Sequence, residues 1–171
     1  KKNEEKRPAS TTKVMTLMLA LESGITLDTP IVIPQQASQI PADSSLVPVF
    51  PGDMMTYRDL LYGFMLSSGN DGANAIAVLV SGSVEKFVEK MNSRAKELGC
   101  EGTHFANPHG YHDPEHYSCA QDLARITREA LKIDTFKQIV SMPSYTMTIQ
   151  RGNTTVETRV LNTNALLKKD N

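Results

Sequence analysis

Ser10 and Lys13 stand one helical turn apart at the head of an apolar-periodic run, and no other feature restricts the fold of this chain as much. Pro8 precedes the pair, and Val14, Leu17, Met18 and Leu21 follow it at the spacing of one helix face. The pattern predicts a helix over residues 10–22, closed by Gly24, with its apolar stripe buried and Ser10 on the same face as Lys13. Free backbone N–H groups and the positive end of the macrodipole favour an oxyanion at that N-terminus. A serine hydroxyl becomes a nucleophile when a base takes its proton, and a lysine amine is such a base where its surroundings keep it neutral. The same two residues also fit a solvated surface pair, so spacing alone leaves both readings open.

A second constellation is Leu66-Ser67-Ser68-Gly69-Asn70-Asp71-Gly72-Ala73-Asn74-Ala75. Ser68 and Asn70 flank a glycine, so both side chains can enter one cavity. The hydroxyl can relay a proton, and the amide offers both a donor and an acceptor to a peptide-like substrate. Read blandly, the stretch is a glycine turn between two helices with Asn70 as a cap.

Together the two motifs resemble the serine penicillin-recognising enzymes, and the surrounding sequence resembles their D-alanyl-D-alanine carboxypeptidases. Three further stretches carry the likeness: Pro51-Gly52-Asp53-Met54-Met55-Thr56-Tyr57-Arg58-Asp59-Leu60-Leu61, Asn107-Pro108-His109-Gly110 followed by His116-Tyr117-Ser118, and Asn162-Thr163-Asn164-Ala165-Leu166-Leu167. The resemblance implies an antiparallel sheet packed with helices plus a mostly helical subdomain. Residues 24–135 would form the helical subdomain, and residues 1–23 and 136–171 parts of the α/β subdomain. It further implies Ser10 as the acylated nucleophile, Lys13 as its base, and Ser68 and Asn70 as the second catalytic motif. Gly69 and His109 would border the substrate.

Family members carry a third motif, Lys-Thr-Gly or a close variant, and this sequence contains no Lys-Thr-Gly. The expectation is an internal segment of one catalytic domain, lacking sheet strands at both ends and partnered by the remaining segments of its parent chain. The missing strand would supply a cation for the substrate carboxylate and a second oxyanion donor, so the segment alone is expected to turn over poorly. The implied substrate is a peptidoglycan stem peptide ending in D-Ala-D-Ala, with β-lactam antibiotics as mimics that acylate Ser10. No metal or cofactor is implied. An extracytoplasmic location follows from the resemblance, with membrane association only through an anchor outside this segment.

Three rivals stay open at this point. A class A β-lactamase would place Asp where Gly69 stands, a DD-endopeptidase differs only in its leaving group, and a non-catalytic peptidoglycan-binding homologue fits the absent third motif.

Composition adds bounds rather than identity. A chain of 171 residues, 40% hydrophobic, can bury one core, or a core plus a satellite subdomain, and a formal net charge of -1 gives no bulk attraction to nucleic acid or anionic membrane. No apolar run is long enough to span a bilayer. The charged start, Lys1-Lys2-Asn3-Glu4-Glu5-Lys6-Arg7, reads as a solvated segment. Cys100 and Cys119 are too few for a disulfide scaffold; free buried thiols or a single bridge both fit. All four histidines fall in residues 104–116, beside Asp113 and Glu115, a composition that could bind zinc. Pro108, Gly110 and Pro114 deny them a common helix face.

Along the rest of the chain, the pattern predicts a short strand at residues 31–33, irregular structure over 35–53, and a helix from a capping box of Thr56 and Asp59. A further helix is capped by Asp71, another runs from Ser83 to about Leu98, and one starts at a capping box of Ser118 and Gln121, with Asp122 anchoring the preceding loop. Alternation on either side of Gly152-Asn153 predicts a hairpin.

Overall fold

The computed structural model describes residues 8–163, with the side chains of Pro8 and Ser10 outside that description. Lys1-Lys2-Asn3-Glu4-Glu5-Lys6-Arg7 and Asn164-Ala165-Leu166-Leu167 lie outside the described residues.

Helix α1 (Pro8–Glu22) is the axis of the fold. Met15, Leu17, Met18, Leu19 and Ala20 are all buried, and so are Thr11, Thr12 and Thr16. The sequence predicts a one-sided stripe, whereas burial wraps nearly the whole helix. Val14 and Leu21 are only partly buried, while Met15 and Leu19 are fully so. The physical reason is the number of neighbours: α1 packs against α2 (Tyr57–Ser67), α3 (Asn70–Ser81), α4 (Val84–Glu97), α5 (Ala120–Ala130) and α6 (Asp134–Ser141). A helix enclosed on all sides needs apolar or internally bonded residues at every position.

One antiparallel sheet contains β1 (Pro30–Val32), β2 (Met54–Thr56), β3 (Ser144–Arg151) and β4 (Thr154–Leu161), in that order. The predicted hairpin is β3 and β4, in register from Ser144 opposite Leu161 to Arg151 opposite Thr154. Helix α2 packs against β3 and β4, over the buried Met147 and Ile149. Strand β2 and helix α6 have no counterpart in the pattern reading; β2 is set by its pairing with β1 and β3, and α6 is only two turns long.

Two predicted caps take other roles. Gly69 is the N-cap of α3, and the Asp71 carboxylate turns away from the helix to the 47–49 segment. Cys119, not Ser118, is the N-cap of α5, since Ser118 Oγ bonds Thr103 Oγ1 at 2.8 Å. Asp122 anchors the preceding loop, accepting from the Gly102 N–H (2.9 Å) and the Thr103 hydroxyl (2.7 Å). Thr56 caps α2 by accepting from the Asp59 N–H at 3.1 Å. The Asp59 carboxylate serves β3 instead, taking the Tyr145 hydroxyl and the Thr148 N–H. Cys100 and Cys119 are free thiols, and burial pushes the Cys100 thiol up to about 11.

Candidate active site

A cleft of about 230 Å³ opens where three segments meet the start of α1. Its floor is Ala9 and Lys13 of α1 together with Ser68 and Asn70, from the turn between α2 and α3. One wall is Asp43, Ser44 and Ser45, and the other is His109, Gly110 and Tyr111. The structure thus brings Lys13, Ser68, Asn70 and His109 together at one cavity. Ser10 lies in the first turn of α1, one turn before Lys13, with its side chain outside the described set.

Lys13 is the group whose chemistry is most altered. Its Nζ donates to the Ser68 carbonyl at 2.8 Å and approaches Asn70 Oδ1 at 3.4 Å. It also lies 5.8 Å from the centroid of the Phe64 ring. Burial disfavours the ammonium and lowers the pKa to about 8, against a smaller opposing pull from the Asp71 charge. An amine poised there exchanges a proton near neutrality, while an exposed lysine does not.

The Ser68 turn is built to present its carbonyl to Lys13. Ser68 caps α2 in the left-handed conformation, at φ 58 and ψ 34, and is the one non-glycine residue with positive φ among the described residues. Such a conformation costs on the order of 1 kcal/mol for a residue with a Cβ, and strain of this kind concentrates at functional sites. Gly69 follows because nothing larger fits: a Cβ there would stand 2.5 Å from the Val47 nitrogen and 2.7 Å from Asp71 Oδ1. Gly69 therefore lets the chain approach closely and does not itself line the cavity. Asn70 opens α3 with its Nδ2 donating to Ser44 Oγ (3.0 Å) and its N–H to the Ser45 carbonyl (2.8 Å).

The wall at residues 43–45 was not legible as part of the site. It is held by polar side chains of α3 that an apolar helix would not otherwise carry. Asp71, buried, accepts from the N–H groups of Val47, Val49 and Gly72 at 2.9, 2.9 and 2.8 Å. Asn74 Nδ2 donates to the carbonyls of Gln36 and Gln39. Polar residues at these positions in an otherwise buried helix were the available signal. Asp53, 2% exposed, secures the end of the same segment through a two-point pair with Arg151 at 3.0 and 2.9 Å.

The opposite wall carries two buried histidines, of which His116 staples it to α1. His116 Nδ1 accepts from the Ala106 N–H at 3.0 Å, and its Nε2 meets Thr12 Oγ1 at 2.5 Å. His109 Nδ1 accepts from the Tyr111 N–H at 3.1 Å. Burial is the largest cause that lowers both to about 4; for His109 the Lys13 charge adds to it. The Thr16 hydroxyl donates to the Pro108 carbonyl (2.7 Å), and Gly110, at φ +89, sits so close that a Cβ would lie 2.6 Å from the Ala9 Cα. Tyr111 reaches across the mouth to Asp43 at 3.0 Å, joining the two walls. Among the described residues no group of three or more His, Cys, Asp or Glu is arranged to hold a metal.

Near the start of α1, a lysine of lowered pKa thus faces a Ser-Gly-Asn turn. The family described as D-alanyl-D-alanine carboxypeptidase matches residues 1–171. The chain belongs to that family. The D-alanyl-D-alanine carboxypeptidase DacF of Bacillus subtilis is 39% identical over 173 residues, covering 97% of this chain and 42% of that protein. The crystal structure of the Streptomyces K15 DD-transpeptidase superposes with a TM-score of 0.87 at 34% identity, over 94% of this chain and 66% of that one. The D-alanyl-D-alanine carboxypeptidase of Mycobacterium tuberculosis H37Rv superposes with a TM-score of 0.82 at 35% identity, over 95% and 59% respectively. The antiparallel sheet with packed helices is therefore a DD-peptidase fold. The chain spans about half the length of the curated relatives it matches. Among the described residues no helix of this carboxypeptidase-family chain is long and apolar enough to cross a membrane.

Proposed function

We propose that this chain carries the acylating half of a serine DD-peptidase centre acting on peptidoglycan stem peptides that end in D-Ala-D-Ala. Ser10 attacks the penultimate carbonyl as its proton passes to neutral Lys13. The terminal D-alanine leaves with a proton relayed through Ser68, and water then releases the shortened peptide. Asn70 positions the peptide through its amide. β-Lactams enter the same path, acylate Ser10 and leave slowly. The site of action is outside the cytoplasmic membrane, where such peptides are found.

The observation that carries the reading is Lys13 itself, whose amine is bound to the Ser68 carbonyl, faces Asn70 and has a pKa lowered by burial to about 8. A lowered pKa enlarges the neutral fraction that a general base needs to take a hydroxyl proton. Similarity to a protein named DD-transpeptidase favours a second acceptor, an amine in place of water, after the same acyl-enzyme. The test is intact-mass spectrometry of the full-length protein with benzylpenicillin, followed by peptide mapping. One adduct on Ser10, lost in Ser10→Ala and formed more slowly in Asn70→Ala, is expected. Absence of an adduct from the folded protein refutes the reading.

A further inference from the structure

A second hydroxyl stands beside Ser68, delivered by a part of the chain remote in sequence. Thr163 follows the end of β4, and its Oγ1 lies 3.3 Å from Ser68 Oγ. Its backbone is fixed independently of that contact. The Thr163 N–H donates to the Leu66 carbonyl at 3.0 Å, filling one of the acceptors that the C-terminal turn of α2 leaves open. One residue earlier, buried Asn162 donates its N–H to the Pro143 carbonyl (2.9 Å) and its Nδ2 to the carbonyls of Val140 (3.1 Å) and Met142 (2.8 Å). Six main-chain groups, the N–H of Asn162 and Thr163 and the carbonyls of Leu66, Val140, Met142 and Pro143, are thus committed to holding one threonine hydroxyl at the Ser68 turn.

Ser68 has reason to need such a neighbour. Its carbonyl is engaged by Lys13, and its left-handed backbone aims the side chain from a position no helix repeats. A serine hydroxyl has one proton to give and two lone pairs. If Ser68 donates to Thr163, its proton is turned away from the leaving group. With Thr163 donating, the Ser68 proton is free, and the negative charge that builds on Ser68 Oγ as it departs is stabilised.

We propose that Thr163 is a positioning residue for acyl transfer, its hydroxyl donating to Ser68 Oγ so that Ser68 can pass its proton to the leaving nitrogen. The proposal rests on the acyl-enzyme reading above. In the relay the Ser68 O–H bond breaks as the N–H bond of the leaving group forms. Ser68 Oγ recovers a proton from the Lys13 ammonium, which has taken it from Ser10. Thr163 keeps its own proton throughout, so atoms and charge balance without another reactant.

Single-turnover acylation by benzylpenicillin, in which the leaving nitrogen is that of the lactam, separates the outcomes. The full-length wild type is compared with Thr163→Val, which keeps the shape and removes the hydroxyl, and with Thr163→Ser, which restores it. The valine variant is expected to lose on the order of tenfold or more in the acylation rate constant, the scale of a hydrogen bond to a charged atom. Its non-covalent dissociation constant, melting temperature and pH midpoint should be unchanged, because its N–H still fills the Leu66 carbonyl. The serine variant should recover to within about threefold of wild type. A valine variant acylated at the wild-type rate, or a serine variant as slow as valine, overturns the assignment and leaves the acyl-enzyme reading intact. A wild type that takes no adduct overturns both.

Discussion

Acidification should loosen the loop wall of the cleft well above the pH at which ordinary carboxylates titrate. His109 and His116 both spend the Nδ1 lone pair on a backbone N–H, from Tyr111 and Ala106 respectively. A proton on either ring would set two N–H groups against each other. Both pKa values are lowered from 6.5 to about 4, chiefly by burial. The sign follows from the depressed native value: the unfolded chain binds the proton first, so the stability is present above about pH 6.5 and is lost as pH falls towards 4. At pH 5 the unfolded imidazole is almost fully charged and the native one about one-tenth charged. With about 1.36 kcal/mol per pKa unit, each histidine then costs about 2 kcal/mol relative to pH 7, and the pair about 4 kcal/mol. That is a large part of the 5–15 kcal/mol typical of a folded domain. Asp71, whose pKa burial raises, works in the opposite direction and offsets part of the loss. Urea unfolding at pH 7, 6 and 5 measures the slope, and NMR titration of the imidazole C–H signals assigns it. His116→Gln should remove about half of the slope. Imidazoles titrating near 6.5 in the native protein, or unfolding free energies that do not change from pH 7 to 5, would refute the reasoning.

Other consequences can be checked alongside. Gly69→Ala should destabilise the protein by about 1–3 kcal/mol in chemical denaturation, because its Cβ would overlap the Val47 nitrogen and side chain. Asp71→Asn should cost about 1–3 kcal/mol, since an amide cannot accept from both the Val47 and Val49 N–H groups with separate oxygens. The same variant should move the pH midpoint of acylation below that of wild type, because the Asp71 charge raises the Lys13 pKa. Asn162→Ala should lower thermal stability by about 1–3 kcal/mol, as the Val140 and Met142 carbonyls lose their amide partner.

What was legible in the sequence was what periodicity and local chemistry encode. The Ser10 helix, the Ser68 turn and the Gly152-Asn153 hairpin each announce themselves within a dozen residues, and the family likeness joined them into one fold. What was hidden depends on partners distant in the chain. Nothing near Asp43, Ser44 or Ser45 says that they line the cleft; that follows from Asp71 and Asn74 reaching back from α3. The enclosure of α1 on all sides, in place of one buried stripe, reflects five packing helices that no local pattern counts. Asp71 and Ser118 look like caps because capping is the commonest local use of such residues, and each has a stronger tertiary partner. His109 was singled out for its place in a family-like loop; its depressed pKa came from burial, which a sequence does not print.

The central claim is that Lys13 acts as a neutral base for Ser10, and the rate of adduct formation on Ser10 as a function of pH tests it most directly. Benzylpenicillin acylation of the full-length protein, followed by mass spectrometry between pH 5 and about 10, should rise with pH through a single midpoint near 8 and then level off, matching the lowered pKa of Lys13. A rate that is flat across that range, or an adduct on any residue other than Ser10, would contradict the account.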